Sequence, residues 1–339
     1  MPNQYSDSVA HKVALATCEK YHERPARWIA RQLHADFPEL YPNIEAARSK
    51  VRHVFGTTGE AHAKNAQLPR EKRTPTDDWR KYMPESATTV EIPWAPYTIA
   101  GRMSALILSD VHIPYFNPKA LELAIEYGIK RNADVIILNG DILDIYGLSR
   151  FEKNPVARNL NGELEDGQAF LKSLRSAFPD ARIIWKWGNH EERYEKTLMS
   201  NPQLWQIKAL AWPKLMEYET YGVTHVADKR PIVVGKGLNI VHGHEWKSGA
   251  YDPVNPARTY FTKAVGVHVI GGDKHRTSQH SENNLAQNIV SSWSTGCLCE
   301  LHPAYMPLNK WNHGFAFVEV DDEGAFTVDN HRIIDNKVW

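Results

Sequence analysis

The chain has 339 residues, a length that suits two domains or one large α/β domain with an appendage. With 42% hydrophobic and 24% charged residues it lies near the globular average, which excludes long disorder and collagen-like or mucin-like classes. Forty basic residues against 40 acidic ones exclude a nucleic-acid coat spread over the whole chain, though not a local basic patch.

Apolar runs such as Val135-Ile136-Ile137-Leu138 fall far short of the ~18 residues that span a bilayer. Residues 1–7 lack a basic-then-apolar signal pattern, and three cysteines cannot build a disulfide scaffold. The expectation is a cytoplasmic protein with no membrane partner. Nothing in the residues indicates an oligomeric state.

Residues 1–82 read as a helical segment. Val13, Ala14, Ala16, Thr17 and Cys18 give residues 10–21 a helix face; Pro25 suits a first helical turn, with Trp28, Ile29 and Leu33 following at helical spacing. A turn around Tyr41-Pro42-Asn43 leads into a third helix, 44–55, capped by Asn43 and stopped by Gly56. Three short helices with a tight turn before the third outline a helix-turn-helix-like unit. The third helix carries Arg48, Lys50 and Arg52, the candidate nucleic-acid contacts. From Lys20 to Lys81 there are 13 Lys/Arg against 8 Asp/Glu. A solvated face on a small docking domain is the competing reading. Residues 56–79 read as a basic arm and 83–102 as a Pro- and Thr-bearing linker.

From Met103 the rhythm becomes strand, loop, helix: strands at 105–108, 135–138 and 182–187, helices at 118–130 and 165–178. That alternation implies a βαβαβ unit with a parallel sheet. Later strands at 232–234, 238–241, 267–270, 289–292, 315–320 and 326–329 follow without intervening helices, so a mixed second sheet packed on the first is expected. Cys297-x-Cys299 reads as packing, because no second Cys pair exists for zinc. His302 and His313 bound a loop that could line the site, each a candidate substrate contact with a surface or capping role as the favoured reading.

Each apolar strand ends in polar residues. The first ends in Ser109-Asp110-Val111-His112, the second in Asn139-Gly140-Asp141-Ile142-Leu143-Asp144, and the third in Gly188-Asn189-His190-Glu191. Later strands end in His242-Gly243-His244 and Gly271-Gly272-Asp273-Lys274-His275-Arg276. Ligands of open α/β sheets sit at that carboxyl edge. Mixed oxygen and nitrogen donors suit Mn, Fe, Zn or Co, and one aspartate with two oxygens can bridge two cations ~3.5–4 Å apart. Any one of these pieces occurs by chance; all of them in order, each at a strand end, form a specific signature.

That order resembles the calcineurin-like metallophosphoesterases over about residues 103–331, so that 103–339 forms the catalytic domain. The resemblance implies an α/β fold, a four-layer αββα sandwich of two mixed sheets flanked by helices. It implies two divalent cations, manganese first, with Fe, Zn, Co, Ni or Mg as substitutes. Carried over, Asp110, His112, Asp141 and His275 hold the first, Asp141 bridges, and Asn189 and His242 hold the second. A metal-bridging hydroxide would attack phosphorus, with His190 protonating the leaving oxygen or steadying the transition state.

The family's Gly-His-x-His motif reads Gly272-Asp273-Lys274-His275 here, and Asp273 can still ligate the second cation through oxygen. Arg276 would offset phosphate charge, and His244 is a neighbouring substrate-binding candidate. Arg193 and Lys274 are further candidates for phosphate contact, with an ordinary surface charge the favoured reading of each.

The phosphatase branch usually reads Gly-Asp-x-x-Asp-Arg-Gly, but Asp144 is followed by Ile145 and Tyr146. The balance favours a phosphodiesterase, and the basic N-terminal segment turns the expected substrate toward DNA. Phage and prophage metallophosphoesterases are similar throughout, including an Ala-Arg-Ser-x-x-Arg pattern matched by Ala47 to Arg52; the host cytoplasm would then be the location. The competing readings are a phosphomonoesterase acting on protein or small molecules, and a DNA-binding regulator with a degenerate site.

Overall fold

The computed structural model describes residues 8–57, 66–68, 83, 95–149, 159–227, 229–246 and 254–339. The chain divides into two compact units, Met1–Glu91 and Ile92–Trp339.

The first unit is built on α1 (Val9–Lys20), α2 (Ala26–Asp36) and α3 (Ile44–Phe55). Local chemistry sets the ends of α3. The Asn43 side chain accepts from Ala46 N at 2.8 Å, and Gly56 closes the helix in the left-handed region, at φ +68°. Ala14, Cys18, Ile29, Leu33, Ala47, Val51 and Val54 are fully buried between the three helices. Leu68, expected in a basic arm, packs on this core, and its N–H donates to the Val54 carbonyl at 3.1 Å. Most of that arm (58–65 and 69–79) lies outside the described residues.

In the second unit two sheets stack face to face. The larger runs in the order β13 (Lys337–Val338), β12 (Phe326–Ile334), β11 (His313–Val320), β2 (Met103–Leu108), β3 (Val135–Asn139), β4 (Arg182–Lys186), β5 (Val223–Val226). The smaller runs β1 (Tyr97–Ile99), β6 (Ile232–Val234), β7 (Leu238–Val241), β8 (His268–Gly271), β10 (Ile289–Ser294), β9 (Ser278–Asn283). Strands β2 to β5 are mutually parallel, as are β7, β8 and β10; β11, β12 and β13 close the larger sheet antiparallel.

Strand alternation explains why these runs are apolar on both faces. Leu106, Leu108, Ile136, Leu138, Ile183 and Trp185 point outward to helices α4 (Pro118–Lys130) and α5 (Leu160–Ala177), meeting Ala124, Leu171 and Leu174. Their neighbours Ala105, Ile107, Val135, Ile137 and Ile184 point inward, against Ile232, Leu238, Ile240 and Ile270 of the smaller sheet. Two further helices are α6 (Glu191–Met199), after β4, and α7 (Pro256–Ala264). From α7, Tyr260 packs on Val241 and Val269 and covers the smaller sheet, completing an αββα order.

Two expectations need correction. Tyr97–Ile99, read as linker, pairs with β6 because its N–H and C=O groups complete an open sheet edge. The second sheet is not free of intervening helices, since α7 lies between β7 and β8, capped by the Asn255 side chain on Arg258 N at 3.1 Å. Among the described residues no helix is long and apolar enough to cross a membrane.

Candidate metal centre

Because β2, β3 and β4 run parallel, as do β7 and β8, their carboxyl ends reach one edge of the sandwich. Asn139 joins the sheets there. Its Nδ2 donates to the Val241 carbonyl at 2.8 Å, and its own carbonyl accepts from His242 Nδ1 at 2.7 Å. Backbone bonds Asp110 N to Gly140 O (3.1 Å) and Gly272 N to His242 O (2.7 Å) fasten neighbouring strand ends together.

Five candidate ligands adopt left-handed backbone: Asp110 (φ +56°), His112 (+53°), Asp141 (+52°), Asp273 (+62°) and His275 (+54°). Such conformations cost about 1–3 kcal/mol each and persist only where surroundings enforce them. The turns fold the side chains back into the crevice. Glycine supplies the space: a Cβ at Gly188 would strike Asp141 Oδ1, and one at Gly272 would strike Ser109 and Asp110.

The expected ligands converge. Donor atoms of Asp110, His112 and Asp141 lie within 4.8 Å of one another, and His275 Nε2 is 3.1 Å from Asp110 Oδ1. Beside them, His242 Nε2 lies 3.3 Å from Asp141 Oδ2 and 3.9 Å from Asp273 Oδ1. Asp141 thus faces both groups. Asp273 points its carboxylate to the second group, its other oxygen 2.6 Å from Lys274 Nζ, so Lys274 is a partner of the site rather than a plain surface charge.

Two observations fit divalent cations. Asn189 Oδ1 and His242 Nε2 are buried and make no hydrogen bond, a costly state for polar atoms. With Nδ1 donating to Asn139, a neutral His242 keeps its Nε2 lone pair directed into the site. The charges also need neutralising. Burial pushes the Asp141 carboxyl up, but His190 and His242 outweigh it and hold it well below the usual range. Asp110 is lowered likewise against burial, chiefly by His275. Burial opposes protonation of His275, yet Asp110 raises it to about 10. His112 goes the other way, lowered by burial and by the nearby His190. Asp110 and Asp141 therefore share protons with imidazoles, and cations held at these donors would replace the protons.

Several contributors lie outside the expected ligand set. Glu191, fully buried, accepts backbone N–H bonds from Asp141 (3.0 Å), Ile142 (2.7 Å), Leu143 (3.2 Å) and Gly188 (2.9 Å), which fixes the Asp141 loop. Glu245 accepts from His242 N and Gly243 N at 2.9 and 2.6 Å and pairs with buried Lys186 at 2.7 Å. Lys186 carries a sequence signal, since a charge inside an apolar strand demands a partner. Cys299 is buried, as the packing reading expects, and its Sγ also lies 3.9 Å from His275 Nδ1, because the chain after β10 returns across the site. Arg193 is no ordinary surface charge either, its Nη2 lying 2.8 Å from His190 Nε2.

His190 stands over this centre, Nε2 3.6 Å from Asp141 Oδ2 and Nδ1 bonded to the Asp144 carbonyl at 2.6 Å. His244 is held by Glu192 at 2.7 Å, its ring 5.3 Å from that of His242. Arg276 is buried next to His275. His302 and His313 bond to the carbonyls of Pro307 and Cys299, which gives them loop-fastening roles. In the first unit, Arg48 is paired with Glu45 at 2.7 Å, Lys50 is half-buried and Arg52 exposed. At 100° per residue Arg48 and Arg52 share one flank of the buried stripe while Lys50 lies on the other.

Comparison with known proteins bears on this site. Over 256 residues the chain is 25% identical to the gene 54 protein of Mycobacterium phage L5, covering 69% of this chain and 97% of that one. Among solved structures, vacuolar protein sorting 29 from Cryptosporidium parvum is 12% identical, with a TM-score of 0.39, over 70% of this chain and 95% of that one. The phosphoesterase Yfce from E. coli is 11% identical, with a TM-score of 0.32, over 67% and 98% of the two chains. Residues 103–292, more than half of the chain and all five strand-end motifs, match the calcineurin-like phosphoesterase family. The crevice at the carboxyl ends of β2, β3, β4, β7 and β8 gathers the five strand-end motifs within the matched residues, and the chain belongs to that family.

Proposed function

We propose that the protein is a metal-dependent phosphodiesterase that hydrolyses DNA. The observation that carries the reading is the meeting of Asp110, His112, Asp141, His242, Asp273 and His275 at one edge, with His242 Nε2, and Asn189 Oδ1 just after β4, buried and unbonded. Asp110, His112, Asp141 and His275 would hold one cation, manganese first; Asp141, Asn189, His242 and Asp273 would hold the other. Bound there, the cations would supply Lewis acidity, lowering the pKa of water and offsetting charge on the phosphoryl oxygens.

The chain's own residues do the rest. His190 faces the crevice with Nε2 and passes a proton to the leaving oxygen, its ring oriented by the Asp144 carbonyl. Arg276 and His244 contact the phosphoryl oxygens and the substrate beyond them. A diester is favoured because Ile145 stands where the phosphatase branch has an arginine. DNA is favoured by the basic flanks of α3.

Cleavage of linear and circular DNA with manganese, measured for wild type and for Arg48→Ala/Arg52→Ala, tests the reading. The expected result is cleavage, with weaker, less salt-dependent DNA binding in the variant. Turnover of p-nitrophenyl phosphate with intact DNA would move the protein to phosphomonoesterases.

A further inference from the structure

Two pairs of aromatic side chains stand on the segments that carry the metal centre. Trp311, half-buried, sets its ring 4.1 Å from that of His275, and Tyr305, 68% exposed, lies 6.4 Å beyond it. The Tyr305 hydroxyl is within electrostatic range of Asp144, Arg193 and Asp141. A second pair, Tyr115 and Tyr146 at 6.2 Å, springs from the segments that carry His112 and Asp144.

The loop bearing Tyr305 is a built surface. Asn309 Nδ2 donates to the carbonyls of Leu301 and Met306, His302 bonds to Pro307 O, and Asn312 N donates to the His275 carbonyl at 2.9 Å. These bonds present Tyr305, with Met306 and Leu308 also exposed, outward beside a polar centre.

We propose that this rim is a base-stacking subsite, and that the substrate is single-stranded DNA whose unpaired bases flank the phosphate in the crevice. The inference rests on the diesterase reading above. Every base offers a π-face to an aromatic ring, whereas in a duplex those faces are covered by neighbouring pairs. A phosphorylated side chain of a protein would leave both aromatic pairs unused.

The test is steady-state cleavage, with manganese, of a fluorescein-labelled single strand, the same strand made abasic beside the cut, and the blunt duplex. Tyr305→Ala and Tyr305→Phe are compared with wild type; the exposed position leaves folding intact, and a melting curve verifies it. Tyr305→Ala is expected to raise KM for the single strand about tenfold, with a smaller change in kcat, while Tyr305→Phe restores it. The abasic strand narrows the gap between wild type and Tyr305→Ala, and the duplex is the poorer substrate. An unchanged KM in Tyr305→Ala, or preference for the duplex, overturns the subsite. Turnover of bis-p-nitrophenyl phosphate with no cleavage of any strand overturns the nucleic-acid reading itself, a distinct result.

Discussion

Arg193 Nη2 lies 2.8 Å from His190 Nε2, and Arg193 Nη1 donates at 3.0 Å to the Asp144 carbonyl that also accepts from His190 Nδ1. A guanidinium has no acceptor, so this contact requires a lone pair on Nε2 and a proton on Nδ1. Burial lowers the pKa of His190, but Asp141 and Asp144 outweigh it and raise the net value. An imidazolium would set two donors face to face, so a second proton on His190 and the Arg193 contact exclude one another. An arriving phosphate, itself anionic, competes for the guanidinium and frees Nε2.

Arg193→Ala is therefore expected to lower kcat/KM for a phosphodiester about 10- to 100-fold, mostly through KM, from the ~1.5–3 kcal/mol of a charged hydrogen bond. Arg193→Lys should recover little, having no fork to span both acceptors. Steady-state kinetics with both variants checks this; wild-type values in Arg193→Ala would reduce the contact to a packing detail.

Much of the fold was legible because its elements carry local signals. Asn43 and Gly56 bracket α3, and Pro118 to Lys130 was readable as α4 from its helical pattern. What escaped lacked such signals. Strand β9, Ser278–Asn283, is a polar run held only by pairing with β10, and β1 follows a Pro-rich stretch. The metal ligands were legible because each ends an apolar run. Arg193, Cys299 and Glu245 were not, since their approach to His190, His275 and Lys186 depends on how distant segments return to the edge.

The Lys186–Glu245 pair supports the His242 loop from within. Lys186 is 1% exposed, and Glu245 also accepts both loop N–H groups. Burial raises the Glu245 carboxyl, but Lys186 and then His244 and His242 bring it down to about 2. Its contribution to stability is thus complete above the ordinary glutamate range and lost as pH falls toward 2. Lys186→Met strands the carboxylate and should cost about 3–5 kcal/mol in urea unfolding at pH 7. A loss under 1 kcal/mol would show that Glu245 is compensated by the loop alone.

Glu163 has the opposite sign. Burial, with Asp144 next, raises its carboxyl to about 7 while both oxygens face Tyr146 N at 3.2 Å. The folded protein then binds a proton that the unfolded chain has released, so stability falls as pH rises from about 4.5 through 7. Glu163→Gln removes this dependence. Its melting temperature relative to wild type should climb between pH 5 and pH 8; a constant difference would mean that Glu163 titrates normally.

The most direct test of the metallophosphodiesterase centre is manganese-supplemented turnover of bis-p-nitrophenyl phosphate beside p-nitrophenyl phosphate, with His190→Ala as the comparison. The expected result is strictly metal-dependent cleavage of the diester in preference to the monoester, reduced by about 10²–10⁴-fold in the variant. Absence of turnover with every divalent metal, or an undiminished rate in His190→Ala, would contradict it.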